Sequence, residues 1–409
     1  NKTAGVDAVA GNLTMSSGAV TLQAANQINN AANVVVSGGT LTLGANDETV
    51  NGLQQTGGSL SGSTGTLSST TAFDMRGGTA DAILGGTAGL TASVGTSTLS
   101  KANTYTGTTT VSGGILNVSG SLASTGSLVV SGGTLDLQTK NQQFAGVQQT
   151  SGTIQNGTVT LNAGNYDLQG GTVSAVLAGT AGLSKTGAGT ATLSAANSYT
   201  GATSIGNGVL ALTANDALGT TATGTTVASG AVLDLQNVAY GTAEALTLNG
   251  GTLRTSTGAS SFAGAVALSG SPVINVSGTS LTLNGAVDGG AALQTTGSGF
   301  VRFGGVVGGV TPLTSISAAS PVRIATASIS TTAAQTYSGT VTLVTDSTLS
   351  GADISFASTV NGAQALTITD SGTTSFGGIV GGGAALTALT TNGGGTTAIN
   401  GGAITTSGA

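Results

Sequence analysis

The chain of 409 residues contains no cysteine, no histidine and no tryptophan, and only 3% of it is aromatic. Without cysteine there is no disulfide framework and no thiol nucleophile, a composition that suits export because nothing is left to mispair. Without histidine no side chain has an ordinary pKa near neutrality, so a Ser–His–Asp set is excluded and acid–base chemistry has little to work with. Charge is equally sparse: 8 Lys and Arg stand against 14 Asp and Glu, for a formal net charge of −6. The basic residues are spread along the chain, which speaks against nucleic acid and anionic membrane surfaces as partners. No apolar run reaches the roughly 18 residues of a membrane-spanning helix, so no transmembrane segment is expected. No basic-then-apolar leader opens the chain and residue 1 is Asn, so a processed form or a section of something longer is expected.

Glycine supplies 71 residues and apolar side chains 38%. Disordered segments combine low hydrophobicity with high net charge, and this chain has neither. Its Val, Leu and Ile alternate with Thr and Ser, as in Leu41-Thr42-Leu43, Val159-Thr160-Leu161, Leu246-Thr247-Leu248 and Leu281-Thr282-Leu283. Period-two runs bounded by Gly-Gly, Ser-Gly or Asn-Gly are a strand-and-turn signal, and the reading is all-β.

The chain also repeats itself. VSGGTLTL (36–43) returns as VSGGTLDL (130–137), and GGTADAILGGTAGL (77–90) as GGTVSAVLAGTAGL (170–183), a period near 94 that covers residues 1–245. Residues 246–409 follow a period near 74, in which FGGVVGGVTPLTSIS (303–317) faces FGGIVGGGAALTALT (376–390) and Val287-Asp288-Gly289 faces Val360-Asn361-Gly362. Repeats at fixed spacing build a stack of similar units rather than a globule around one core. Turn signals every 8–12 residues or so predict a parallel β-solenoid of about 20 rungs, a rod on the order of 100 Å long. Exposed strand edges at the ends of such a stack invite self-association, end to end or lateral, or further repeats of the same chain.

One stretch is more specific. LSKTGAGTATLSAANSYTGATSIGNGVLAL (183–212) resembles the passenger-associated repeat of bacterial autotransporters at Leu183, Lys185, Gly187, Gly189, Leu193, Asn197, Tyr199, Gly201, Thr203, Gly208 and Leu210. A second copy at 90–118 keeps Leu99, Asn103, Tyr105, Gly107, Thr109, Gly114 and Leu116, but Thr91-Ala92 stand where the lysine falls and only Gly95 of the glycine pair remains. The shorter-period region looks like the repeats of filamentous-haemagglutinin-like surface proteins. The resemblance implies a right-handed β-helix exported to a Gram-negative cell surface, with repeats tied to passenger folding and secretion. It implies adhesion, display or a surface coat, and two readings follow: a structural component of a surface fibre, coat or stalk, or an adhesin passenger that binds a ligand.

No enzyme, cofactor or metal site is expected. The acids are scattered singly apart from Asp47-Glu48, which an Asn/Asp-rich turn explains. Asp136 and Asp234 occupy matching Leu-Asp-Leu positions, where alternation points them outward into solvent. The nonapeptide calcium pattern is absent. Tyr105 with Tyr199, Phe73 with Tyr166, and Phe303 with Phe376 are matched and are read as plugs in the solenoid core. Asn103 and Asn197 are read as hydrogen-bonding within turns, and Lys185 as exposed. The Gly-Gly pairs at 38–39, 77–78, 132–133 and 170–171 are corner turns, since no phosphate-loop signature accompanies them. Thr-x-Thr rows are too irregular for an ice-binding face.

Overall fold

Alternation gives each short segment one apolar and one polar face, and a segment of that kind is stable only when its apolar face meets others like it. Strand Thr40–Gly44 shows the outcome, with Leu41 and Leu43 fully buried and Thr40 and Thr42 at the surface. In the computed structural model, which describes residues 7–391 and 394–408, the strands run two to six residues apart from two long ones, Gly52–Ser69 and Phe73–Gly85. There is no α-helix among the described residues, and no helix is long and apolar enough to cross a membrane. The ladders are parallel, coil stacked on coil, with one isolated antiparallel bridge between Ala228 and Gly250. The protein is a parallel β-solenoid of about 20 turns divided between two units, Asn1–Gly201 and Ala202–Ala409.

In the first unit, a single inward column runs Phe73, Leu90, Thr109, Leu128, Val147, Tyr166, Leu183, each residue in register with the next. The matched aromatics Phe73 and Tyr166 are five coil steps apart in that column. The longer repeat is therefore a whole number of coils, and equivalent residues lie directly in line. A parallel column holds Gln55 and Gln149, both fully buried. The Gln55 amide donates to the carbonyls of Gly58 and Thr79, and that of Gln149 to those of Gly152 and Thr172. A Cβ at Gly78 would lie 2.8 Å from the Gln55 Nε2, and one at Gly171 would lie 2.7 Å from the Gln149 Nε2. Glycine at these corners admits the buried amide.

The second unit has three strand faces per coil. One column runs Leu281, Val301, Val322, Val341, Val360. A second runs Val266, Val287, Val307, Ile329, Leu349 and a third Ala318, Tyr337, Phe356, Phe376. Val287 and Val360 are matched in the sequence repeat yet stand in different columns. Phe303, beside Val301, and Phe376 are likewise on different faces. The shorter repeat is not a whole number of coils, so each copy is turned onto another face.

What is copied faithfully is the local hydrogen bonding. Asp288 accepts the backbone N–H of Val310 at 2.9 Å and of Thr311 at 3.4 Å, and Asn361 accepts those of Gly383 at 2.8 Å and Ala384 at 3.3 Å.

Close coil-to-coil approach sets the first prediction. A Cβ at Gly107 would sit 2.5 Å from the Ala88 carbonyl carbon, whereas one at Gly11 would meet nothing within 4 Å. Gly107→Val should lower unfolding stability by about 2–4 kcal/mol, and Gly11→Val should change it by less than about 0.5 kcal/mol. Denaturant midpoints at constant slope check both.

Candidate functional site

The repeat motif forms one inward-facing row. Asn103, Tyr105 and Thr109 are buried and Gly107 lies between them, and Asn197 and Tyr199 are buried in the same alternation before Gly201. Tyr105 packs on Phe73 with ring centroids 5.9 Å apart and an interplanar angle of 57°, and Tyr199 packs on Tyr166 at 6.1 Å and 56°. The tilted pairing is thus reproduced in both copies and places all four rings in the core, as the matched spacing indicated. The Tyr105 hydroxyl stays satisfied through a 2.8 Å bond with Thr109 Oγ1. Gly107 and Gly201 permit the close approach of the coil below, since a Cβ on either would come within 2.5 Å of a backbone carbon. Gly114 and Gly208 turn the chain at φ near +61° and +64°.

Asn103 does more than close its own turn. Its Oδ1 accepts the Leu84 N–H at 3.0 Å from the preceding coil, while Nδ2 donates to the Lys101 carbonyl and, at 3.3 Å, to the Ser121 carbonyl of the following one. Asn197 accepts the Leu177 N–H at 2.8 Å in the same way. One amide therefore clasps successive coils where the strand ladder is interrupted. Gln142 does the same for Leu122, Glu48 for Gln27 and Ile28, and Asp370 for Asp353 and Ile354. Glu48 begins a strand and is buried, so only Asp47 of that pair belongs to the turn.

Two expectations are overturned. Lys185 is fully buried rather than exposed: Leu183 and Lys185 both face inward on strand Gly182–Lys185, in register with Tyr166 and Leu168. Its ammonium donates to the Gly187 carbonyl, so the Lys-x-Gly spacing folds the side chain back onto its own turn. Burial lowers its pKa, against the opposing charge of Asp167. A Cβ on Gly187 would strike Gln169 at 2.7 Å, while one on the exposed Gly189 would make only an ordinary 3.5 Å contact with the Gln169 carbonyl oxygen.

Asp136 and Asp234 are buried rather than solvated. Both stand between inward leucines, but side chains of the next coil fold over them. Gln155 and Asn156 donate to Asp136 at 2.9 and 2.8 Å, and Arg254 and Ser256 donate to Asp234 at 2.9 and 2.8 Å. Burial raises both carboxyls, and these bonds outweigh it and hold them below the usual carboxylate range. The missed signal was a polar partner about one coil further along the chain.

Glu244 was not singled out by sequence. It is buried, and accepts Thr225 Oγ1 at 2.5 Å and the Tyr240 hydroxyl at 2.9 Å. Desolvation pushes its carboxyl up to about 7 against these two bonds.

The family model of the passenger-associated-transport-repeat matches residues 93–118 and 183–212. No curated protein matches the chain, and no solved structure does. Fold and repeats together define an autotransporter-passenger-like β-solenoid. Repeats of this kind imply a secreted or surface-exposed protein.

Two predictions follow from the buried polar groups. Asn103→Ala leaves the Leu84 N–H without its acceptor and should cost about 1–3 kcal/mol in denaturant unfolding. Glu244 is favoured in its protonated form by the fold, so its contribution is full below the ordinary value of 4.5 and is lost as pH rises through about 7. Glu244→Gln should therefore change stability little at pH 4 and raise it at pH 8 by on the order of 3 kcal/mol, flattening the pH profile between.

Proposed function

We propose that the chain is a structural component of a bacterial cell surface, a section of fibre, coat or stalk, and that it has no enzymatic role. The observation that supports this reading is the use made of its buried carboxylate and carboxamide groups. Glu48, Asn103, Gln142, Asn197 and Asp370 each spend a side-chain oxygen on the backbone of a neighbouring coil. Asp136 and Asp234 are covered by donors from the next coil. Among the described residues, no three acidic side chains gather into a group that could hold a metal ion. Polar chemistry is directed inward and between coils, where it resists separation of the stack.

The mechanism is mechanical. Parallel backbone ladders supplemented by side-chain clasps oppose both bending and fraying, and low charge limits repulsion between neighbouring molecules. Assembly would proceed by self-association, end to end or side by side. An adhesin role would instead depend on an outer-face ligand site.

Electron microscopy of surface material, before and after deletion of the gene, tests the proposal. The expected result is an ordered surface layer or fibre that disappears on deletion, with the purified protein forming higher oligomers and cleaving no polysaccharide in a glycan screen. A surface unchanged by deletion, with a monomeric protein that binds a soluble ligand, would favour the adhesin reading instead.

A further inference from the structure

The outer face of the second unit carries an arrangement that coil stacking does not explain. Arg302 and Arg323 are register partners on adjacent parallel strands, Phe300–Phe303 and Val322–Ile324. Each stands between two inward residues, so both point outward, Arg302 half-buried and Arg323 exposed. Adjacent parallel strands lie about 4.8 Å apart, so the two arginine side chains are rooted side by side. Like charges opposed across a strand pair are unfavourable.

The ion pairs among the described residues are Arg76 with Asp74, Lys101 with Asp81 and Arg254 with Asp234. Arg302 and Arg323 take part in none of them. Their register neighbours, Thr282 below and Thr342 above, supply hydroxyls and no carboxylate.

A second observation concerns the ring beneath Arg323. Every aromatic side chain of the protein is buried except Phe300, which is half-buried. The Arg323 guanidinium carbon lies 3.9 Å from the Phe300 ring centroid. Stacking on an aromatic face holds a guanidinium in a fixed plane and leaves its N–H fork free to bind. The one aromatic outside the core thus orients one of two adjacent, carboxylate-free arginines.

We propose that Arg302 and Arg323, the latter held on Phe300, form a binding site for a phosphomonoester, free or carried on a saccharide. The stoichiometry of charge and donors selects this group. A carboxylate carries one charge and two oxygens, enough for one guanidinium fork. A phosphomonoester carries a charge of about −1.5 to −2 at neutral pH and three terminal oxygens, so it serves both forks and cancels both cations. Thr282 and Thr342 flank the pair with hydroxyls suited to the remainder of a polar ligand.

The test is isothermal titration of the full chain at low ionic strength with glucose 6-phosphate, glucose and inorganic phosphate. Glucose 6-phosphate should bind and glucose should not. The double variant Arg302→Gln/Arg323→Gln should lose at least tenfold in affinity while keeping the parent's thermal melt, since both side chains lie outside the core. Arg302→Lys/Arg323→Lys keeps the charge but not the forks, and should bind more weakly than the parent. Tighter binding of glucose 6-phosphate than of inorganic phosphate identifies a saccharide-borne group, and equal binding identifies the free anion; either supports the site. No binding of either phosphate by the folded protein, or binding unchanged in the double glutamine variant, overturns it.

Discussion

Parallel backbone hydrogen bonding holds successive coils about 4.8 Å apart, and a side chain at a given position must share that spacing with its neighbours above and below. This constraint selects the composition. Branched aliphatic residues stack in columns such as Val301, Val322, Val341 and Val360, each filling the space the next one leaves. Aromatic rings stack too, and Tyr337, Phe356 and Phe376 lie nearly parallel with centroids 5.2 Å apart. Where two corners approach more closely than a Cβ permits, only glycine remains, as at Gly107 and Gly201.

The same spacing creates a shortage that polar side chains relieve. Ladders are interrupted at corners, and backbone groups there would be buried without partners. Side-chain oxygens of Asn103, Asn197, Glu48 and Asp370 accept N–H groups one coil away. Low charge and an inward-turned polar complement are therefore two aspects of one economy. A carboxylate or carboxamide at a corner stabilises more when it bridges coils than when it faces water.

Much of the fold was legible from sequence because its rules are local. Alternation as in Leu41-Thr42-Leu43 reports which residues face inward, and a fixed repeat reports stacking. The matched pairs Tyr105 with Tyr199 and Phe73 with Tyr166 identified the core aromatics on the same grounds. Errors arose where residue type and alternation did not reveal what covers a side chain. Lys185 reads as surface by residue type, yet it occupies an inward position aligned with Leu168 and folds back onto Gly187. Asp136 and Asp234 read as solvated because alternation gives direction and not cover, and the cover comes from Gln155, Asn156, Arg254 and Ser256 in the next coil. Glu244 escaped notice because its partners Thr225 and Tyr240 carry no motif.

The two repeat lengths distribute outer-face residues in different geometries. In the first unit, Gln54 with Asp74 and Gln148 with Asp167 form the same outward pair, at 2.8 and 2.9 Å, five coils apart in one line. Duplication at that length rules a straight edge, with identical features about 24 Å apart. In the second unit, a duplicated segment returns at a new azimuth, so copies of a surface feature spiral about the axis and point in different directions. Lengthening the first kind of array would raise valency towards one flat partner, while lengthening the second would spread contacts among partners on several sides.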